Sequence, residues 1–513
     1  MNLGQQFLSQ WQSQISLQVS CFDRLILTGY LPFWSADTVN KWIGGRLGIR
    51  HIDFLPQMKR LSDQLVDSAK RQALQAGAPF HHLQGRCRKE ALIEQISRES
   101  GDRQGLIAVL CPQESCRTLK LTYGRGRPRF EYAYRPQRVL YFYLNDRQFG
   151  RMFIRIQTWF PWRIQVYVNG HDWLARQLDK RRISFRRQDN AFLAIEDPQA
   201  ARRIADSFAD LPWTSLLNRW ARRFNPLLSH PWLNGRIYSW FIDQAEYSTD
   251  LLFTDRTVLS DLYPRLLDHA VVNFRAPDIM TFLGRRLDPR YEGEVQTNCQ
   301  KNRWPGARIK HRVGDNWLKM YDKFARILRV ETVINSPKEF WVYRTQPHRD
   351  GTSSVGYYPM TKNVASLADY QEQALACNHR YLDALAVVDD PAPAYPELRQ
   401  LTEPKVVDGR SYAGFNPARR DDVRLFRAVL DGDHIARGFR NGDIREPLFG
   451  RLLKPTHQRR ASAAVGRLLK RLHVRHLVAK IPRTRRWRVT EHGRHLLGSV
   501  VQLYCPVWPE LAA

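Results

Sequence analysis

Four of the fifteen residues from Asp390 to Pro404 are proline: Pro391, Pro393, Pro396 and Pro404. Proline lacks the amide proton that helix interiors and central strands use, so no regular element can run through this stretch. The chain must therefore fold on either side of it, as a body ending near residue 390, a linker over 391–414 and a C-terminal segment over 415–502. Apolar periodicity divides the body again. Residues 1–105 read as mainly helical, because Leu61, Leu65, Ala69 and Ala73 recur at helical spacing after Pro56 and a second helix is expected near Lys89–Glu99. From Leu106 to Val168 the pattern changes to short runs rich in Val, Ile, Phe, Tyr and Trp, which are expected strands. Residues 198–300 read as helix again, 307–334 as a three-stranded meander and 366–388 as a helix. The expected class is α+β, with residues 106–390 a large mixed body built on antiparallel sheets.

Charge narrows the partner. Eighty Lys and Arg stand against fifty Asp and Glu, a formal charge of +30 spread along the chain, which points to a polyanion and above all to nucleic acid. No stretch reaches the roughly 18 apolar residues of a membrane span, and Met1–Gln14 does not read as a secretory signal. A cytoplasmic protein without a membrane partner is expected. Its seven scattered cysteines read as reduced thiols, not as a disulfide framework.

The C-terminal segment is the most legible. It reads as helices at Asp421–Leu430, Asp443–Phe449 and Thr456–Leu472, two short strands around a turn at Pro482–Arg485, and a last helix from Glu491. In the third helix Ala461, Val465, Leu468, Leu469 and Leu472 form an apolar stripe, while Arg460, Ala464, Arg467 and Arg471 form another. The turn carries Arg483, Arg485 and Arg486, and Arg451–Thr490 holds thirteen Lys and Arg with no Asp or Glu. One-sign charge of this density calls for an external counter-charge, which phosphates supply. With its leucine-rich helix, its strand pair "LVAKIPRTRRWRVTEHGR" and its following helix, the segment resembles the winged helix-turn-helix domains of MarR-like bacterial regulators. That resemblance implies duplex DNA binding, with Arg460, Arg467, Arg471, Arg483, Arg485 and Arg486 as contacts.

A second resemblance lies in the meander. "KMYDK" followed by "LRVET" resembles the tyrosine-bearing strands of rolling-circle and filamentous-phage replication initiators. The resemblance implies Tyr321 as a nucleophile toward a DNA phosphate, Lys319 or Lys323 as stabilisers of phosphate charge, and Glu331 as metal ligand or base, with Mg²⁺ as the cofactor. No His-hydrophobic-His triplet accompanies these strands, a departure from most such nickases. A three-residue loop between the strands would set Tyr321 opposite Arg329, whereas a two-residue loop would set it opposite Leu328. Through the run Thr158–Ala175 and "KMYDK" the whole chain also resembles a group of bacterial proteins, which implies no activity.

Other residues extend the nucleic-acid reading. Asp243, Glu246 and Asp250 share a face if "FIDQAEYSTD" is a helix, and such a face can hold Mg²⁺. "RGRP", with Arg125 and Arg127, matches the core of an AT-hook but joins two expected strands, so a basic hairpin tip on backbone phosphate is the better reading. Arg155 and Arg163 sit among Phe153, Trp159, Trp162, Gln165 and Tyr167, a mixture suited to stacking unpaired bases or gripping RNA. Lys310 and His311 in the meander join the same set. His171, just after Asn169-Gly170, reads either as a catalytic group or as a loop-to-helix polar contact. Three functions follow: a tyrosine-dependent nicking initiator of a bacterium or mobile element, a non-catalytic winged-helix regulator, and an RNA-binding partner of a structured RNA.

Overall fold

The computed structural model describes residues 5–85, 87–101, 103–124, 127–233, 235–285, 293–300, 307–348, 350–388, 400–434 and 438–503. The protein is mixed α and β with a large, mainly antiparallel sheet, as the sequence leads one to expect. It divides into two compact units, neither continuous in sequence. One comprises residues 16–252 and 331–375, the other residues 1–15, 253–330 and 376–513.

In the first unit, strands β1 (Ile15–Tyr30), β2 (Phe80–Leu83), β3 (Gly105–Gly124), β4 (Arg127–Asp146), β5 (Gly150–Gln157), β6 (Ile164–Val168), β7 (Phe185–Gln188), β8 (Ala191–Ile195) and β9 (Ser239–Phe253) are set out in chain order. The hydrogen-bonded order β9-β1-β6-β5-β4-β3-β2 makes the sheet, and β7 and β8 form a separate hairpin. The twenty-residue strands β3 and β4 pair along their whole length, down to Gly124 opposite Arg127. Apolar residues bury the sheet on the helix Lys89–Ser100, whose Ile93 and Ile96 pack with Ala108, Leu110, Val139 and Tyr141. An aromatic cluster of Phe33, Trp42, Phe54, Phe130, Phe160 and Trp232 fills another part of the core, with ring centroids 4.6–6.4 Å apart.

Two helical expectations fail here. The first hundred residues contain β1, whose buried Leu17, Val19, Cys21, Leu25 and Leu27 follow the alternation of a strand. Residues 239–253, expected to be helical, are the strand β9. Its run from Ala245 to Phe253 is buried throughout, which is the burial of an interior strand. The helices His51–Gln75 and Lys89–Ser100 do form, the first carrying Pro56 within its opening turns.

In the second unit β10 (Val295–Gln300), β11 (Arg308–Val313), β12 (Asn316–Lys323) and β13 (Ile327–Ile334) run antiparallel in sequence order, the last of them continuing past Val330 into the first unit's residues. The expected meander is thus present, with one further strand before it. The helix Leu367–Leu385 is also present. Most of the proline-rich segment, 389–399, lies outside the described residues. Beyond it come helices Arg420–Val429, Asn441–Phe449 and Pro455–Val474, paired strands Val478–Lys480 and Trp487–Val489, and helix Glu491–Leu503. Val423, Phe426, Ile444, Val465, Leu469, Leu472, Leu477, Leu497 and Val500 close one core between these elements. This group is also tied to the helix Ala276–Phe282, because the Asp278 carboxylate accepts from the Gly432 amide at 3.2 Å and Thr281 donates to Asp433 at 3.0 Å.

Candidate functional site

In the first unit, Asp23 of β1, Glu246 of β9 and Glu331 of β13 each bring a carboxylate oxygen within 4.8 Å of the other two. Glu246 is 6% and Glu331 1% exposed, while Asp23 is half-buried. Three ionised carboxylates at that separation repel one another by about 3 kcal/mol per pair at an effective dielectric near 20. The surroundings answer that repulsion. Arg24 places its Nε 3.9 Å from Glu246. Burial pulls the Arg24 pKa down, but Glu246, Tyr167, Asp23 and Glu331 outweigh burial and raise it.

His171 supplies the other cation. Its Nδ1 lies 3.2 Å from Asp23, and its Nε2 lies 3.8 Å from Asp250 and 3.4 Å from the Ser248 hydroxyl. The ring is fully buried, which alone would lower its pKa, yet the neighbouring Cys21, Asp23 and Asp250 hold it well above the ordinary imidazole range. Local sequence explains its placement. Asn169 caps the helix Gly170–Lys180 by accepting from the amides of His171 and Asp172, and its side chain also donates to Asp23 at 3.5 Å. Gly170 lets this helix start close against β1, since a Cβ there would lie 2.4 Å from the Phe22 carbonyl. Asn190, at the β7–β8 turn, donates a second hydrogen bond to Asp23.

The trio is an all-oxygen donor set suited to a hard divalent cation such as Mg²⁺. Two of its members, Glu246 and Glu331, are residues that sequence singled out as metal ligands, although by different arguments and in different motifs. Asp23 was missed, and the alternation of Leu17, Val19 and Cys21 before it was the available signal of a strand. Asp243 and Asp250 do not join. On a strand, residues three apart point to opposite faces, so the helical grouping of Asp243 with Glu246 dissolves. Asp243 instead takes hydrogen bonds from Thr28, Arg163 and Gln165, and Asp250 faces His171.

In the second unit a cleft of about 670 Å³ opens between the strand turn of the C-terminal group and the start of helix Asn441–Phe449. Arg440, Asn441, Gly442, Arg483, Thr484, Arg485 and Arg486 line it. Arg440, Arg483 and Arg485 are exposed, whereas Arg486 is half-buried and donates to the Gly438 carbonyl at 2.9 Å. Arg460 and Arg467 are exposed on the helix Pro455–Val474. Arg471 is not available as a groove contact. It donates to the carbonyls of Ala413 and Gly414 and lies 4.0 Å over the Phe415 ring, so it fastens the segment that precedes the first helix of the group.

Other expected contacts are likewise internal. His311 is fully buried, its ring nitrogens 2.9 Å from Thr297 and 3.0 Å from Tyr381, and burial lowers its pKa to about 3. Arg155 is half-buried and pairs with Glu114 at 2.9 Å. Arg163 pairs with Asp243 at 2.5 Å, and Phe153 stacks on Tyr167 with centroids 5.0 Å apart. Arg155, Arg163, Phe153 and Tyr167 are therefore engaged in contacts within the protein. Arg125, and the side chain of Arg127, lie outside the described residues.

In the meander Tyr321 is half-buried and pairs across β11 with Arg308, while Lys319 pairs with Lys310. Lys310 holds its ammonium 3.4 Å over the Trp317 ring, and Lys323 is buried beside Phe324. Three residues, Phe324–Arg326, separate β12 from β13, the longer of the two loops considered from sequence. No protein-family model, curated protein or solved structure matches the chain.

Proposed function

We propose that this is a nucleic-acid-binding protein whose C-terminal helices and strand pair act as a winged helix on duplex DNA. One observation carries the reading: the exposed Arg440, Arg483 and Arg485 line one cleft, and the forty residues Arg451–Thr490 that carry the latter two hold no carboxylate. Cations gathered without internal partners pay a repulsive cost that a phosphate backbone removes. Arg460 and Arg467 extend the surface along the helix that a winged fold would lay in the major groove. The test is binding of the intact protein to labelled duplex by fluorescence anisotropy across a salt series. Nanomolar to micromolar affinity with a steep salt slope supports the reading, and no binding at low salt overturns it.

A second reading is favoured by the carboxylate trio. Asp23, Glu246 and Glu331 would hold a divalent cation, with Mg²⁺ the first choice for all-oxygen ligands, and the cation would supply charge stabilisation for cleavage of a phosphodiester. His171 and the two asparagines would then keep Asp23 oriented. Tyr321, in the second unit, is a separate candidate nucleophile that rests on the resemblance of its strand to those of replication initiators. Incubation with end-labelled single strands and Mg²⁺ tests it: a covalent adduct lost in Tyr321→Phe and in Glu331→Gln supports a nicking initiator. Cleavage lost only in Glu331→Gln supports a hydrolytic nuclease, and no cleavage leaves the binding function alone.

A further inference from the structure

Strands β14 (Trp341–Pro347) and β15 (Ser353–Pro359) form a two-stranded ribbon within the first unit. Its two faces differ. Phe340, Val342 and Met360 are buried and anchor the ribbon's base, where the Met360 amide donates to the Phe340 carbonyl at 2.7 Å. The other face carries Trp341, Tyr343, Thr345, Val355 and Tyr357, all exposed, with Trp341 58%, Tyr343 66% and Tyr357 68% accessible. Register puts Tyr343 directly opposite Tyr357, and their rings meet edge to face at 5.3 Å. Among the described residues, neither strand carries an acidic side chain on this face. Residues 337–362 hold four Lys and Arg, at 338, 344, 349 and 362, against two acids, Glu339 and Asp350.

We propose that this ribbon is a stacking platform for unpaired bases of single-stranded nucleic acid, resting on the nucleic-acid-binding function argued above. Three large aromatics left in water on a small ribbon are costly unless a partner covers them. Two of the three carry a hydroxyl and the third an indole N–H, so the surface suits a ligand with both π faces and polar edges. The acid-free face and the excess of cations in this segment of a +30 chain match a polyanion and repel a basic partner. Trp341 and Tyr343 are two residues apart on one face, about 7 Å, which is twice the roughly 3.4 Å stacking rise and leaves room for one base between rings. Phe153 and Tyr167 of β5 and β6, for which the sequence also raised this role, are spent on internal contacts.

The test uses the intact protein, a fluorescein-labelled oligo-dT of about 20 nucleotides and a labelled duplex, both read by anisotropy. Trp341→Ala and Tyr343→Ala should each weaken oligo-dT binding by about fivefold or more, leaving duplex affinity unchanged, and Tyr343→Phe should restore it because the ring remains. Oligo-dT affinity within twofold of wild type in both alanine variants overturns the platform while duplex binding still stands. A wild-type dimer in sedimentation that Tyr343→Ala converts to monomer overturns it in favour of a second copy of the chain as occupant. Loss of both ligands in the wild type overturns the nucleic-acid reading itself.

Discussion

Replacing Arg440, Arg483 and Arg485 together by alanine removes the three exposed guanidiniums around the cleft without cutting an internal hydrogen bond made by any of their side chains in the described structure. Each phosphate contact contributes about 0.9 to the slope of log K against log salt on duplex DNA. If each arginine makes one, the triple variant loses about 2.7 from the magnitude of that slope. At a salt concentration near 0.15 M the affinity falls by roughly two orders of magnitude. Arg471→Ala provides the contrast. Sequence places it beside Arg467 as a groove contact, but its guanidinium holds two backbone carbonyls and covers Phe415. Its loss should leave the salt slope within about 0.3 of wild type and lower stability by about 1–3 kcal/mol. The assay is fluorescence anisotropy with one labelled duplex from 50 to 300 mM salt, beside urea unfolding of each variant. A triple variant with the wild-type slope refutes the cleft as a phosphate site. An Arg471→Ala slope reduced by a full contact refutes its internal role.

Three further outcomes are expected. If the carboxylate trio takes a divalent cation, millimolar Mn²⁺ or Mg²⁺ should raise the unfolding temperature of the wild type over that in EDTA, a linkage of about 2.7 kcal/mol when the ion stands at 100 times its Kd. In Glu331→Gln the difference should vanish; an equal shift in both proteins places the ion elsewhere. His311 is held neutral by burial, with its pKa lowered from 6.5 to about 3, so its stabilising contribution is complete above pH 6.5 and is lost as pH falls toward 3. That loss amounts to about 4–5 kcal/mol, and His311→Gln should flatten the acid limb of stability against pH; an unchanged limb would show that other groups govern it. Gly170→Ala should destabilise the first unit by about 1–3 kcal/mol, because its Cβ would meet the Phe22 carbonyl at 2.4 Å, and a variant as stable as wild type in urea would mean the helix start can withdraw at no cost.

Local chemistry governed what was legible in the sequence. The meander could be read because β11 and β12 alternate buried and half-buried residues over short distances and are joined by a tight turn at Gly314. The C-terminal group could be read because its helices carry apolar stripes, with Val465, Leu469 and Leu472 inside and Arg460 and Arg467 outside. Charge density alone marked that region for a polyanion. β9 was misread because an interior strand buries both faces, which erases the alternation that separates strand from helix.

Non-local pairing decided the rest. Asp23, Glu246 and Glu331 are separated by 223 and 85 residues, and only the pairing of distant strands brings their oxygens within 4.8 Å. Whether an arginine faces a ligand or the protein was likewise settled by tertiary contacts: Arg467 is exposed, while Arg471, one turn on, is bound to Ala413 and Gly414. Composition determined that this chain carries a large positive charge and periodicity determined most of its helices. Which charges are free, and which carboxylates meet, depended on strand partners hundreds of residues away, because hydrogen-bond pairing across a sheet leaves no mark in the spacing of either strand.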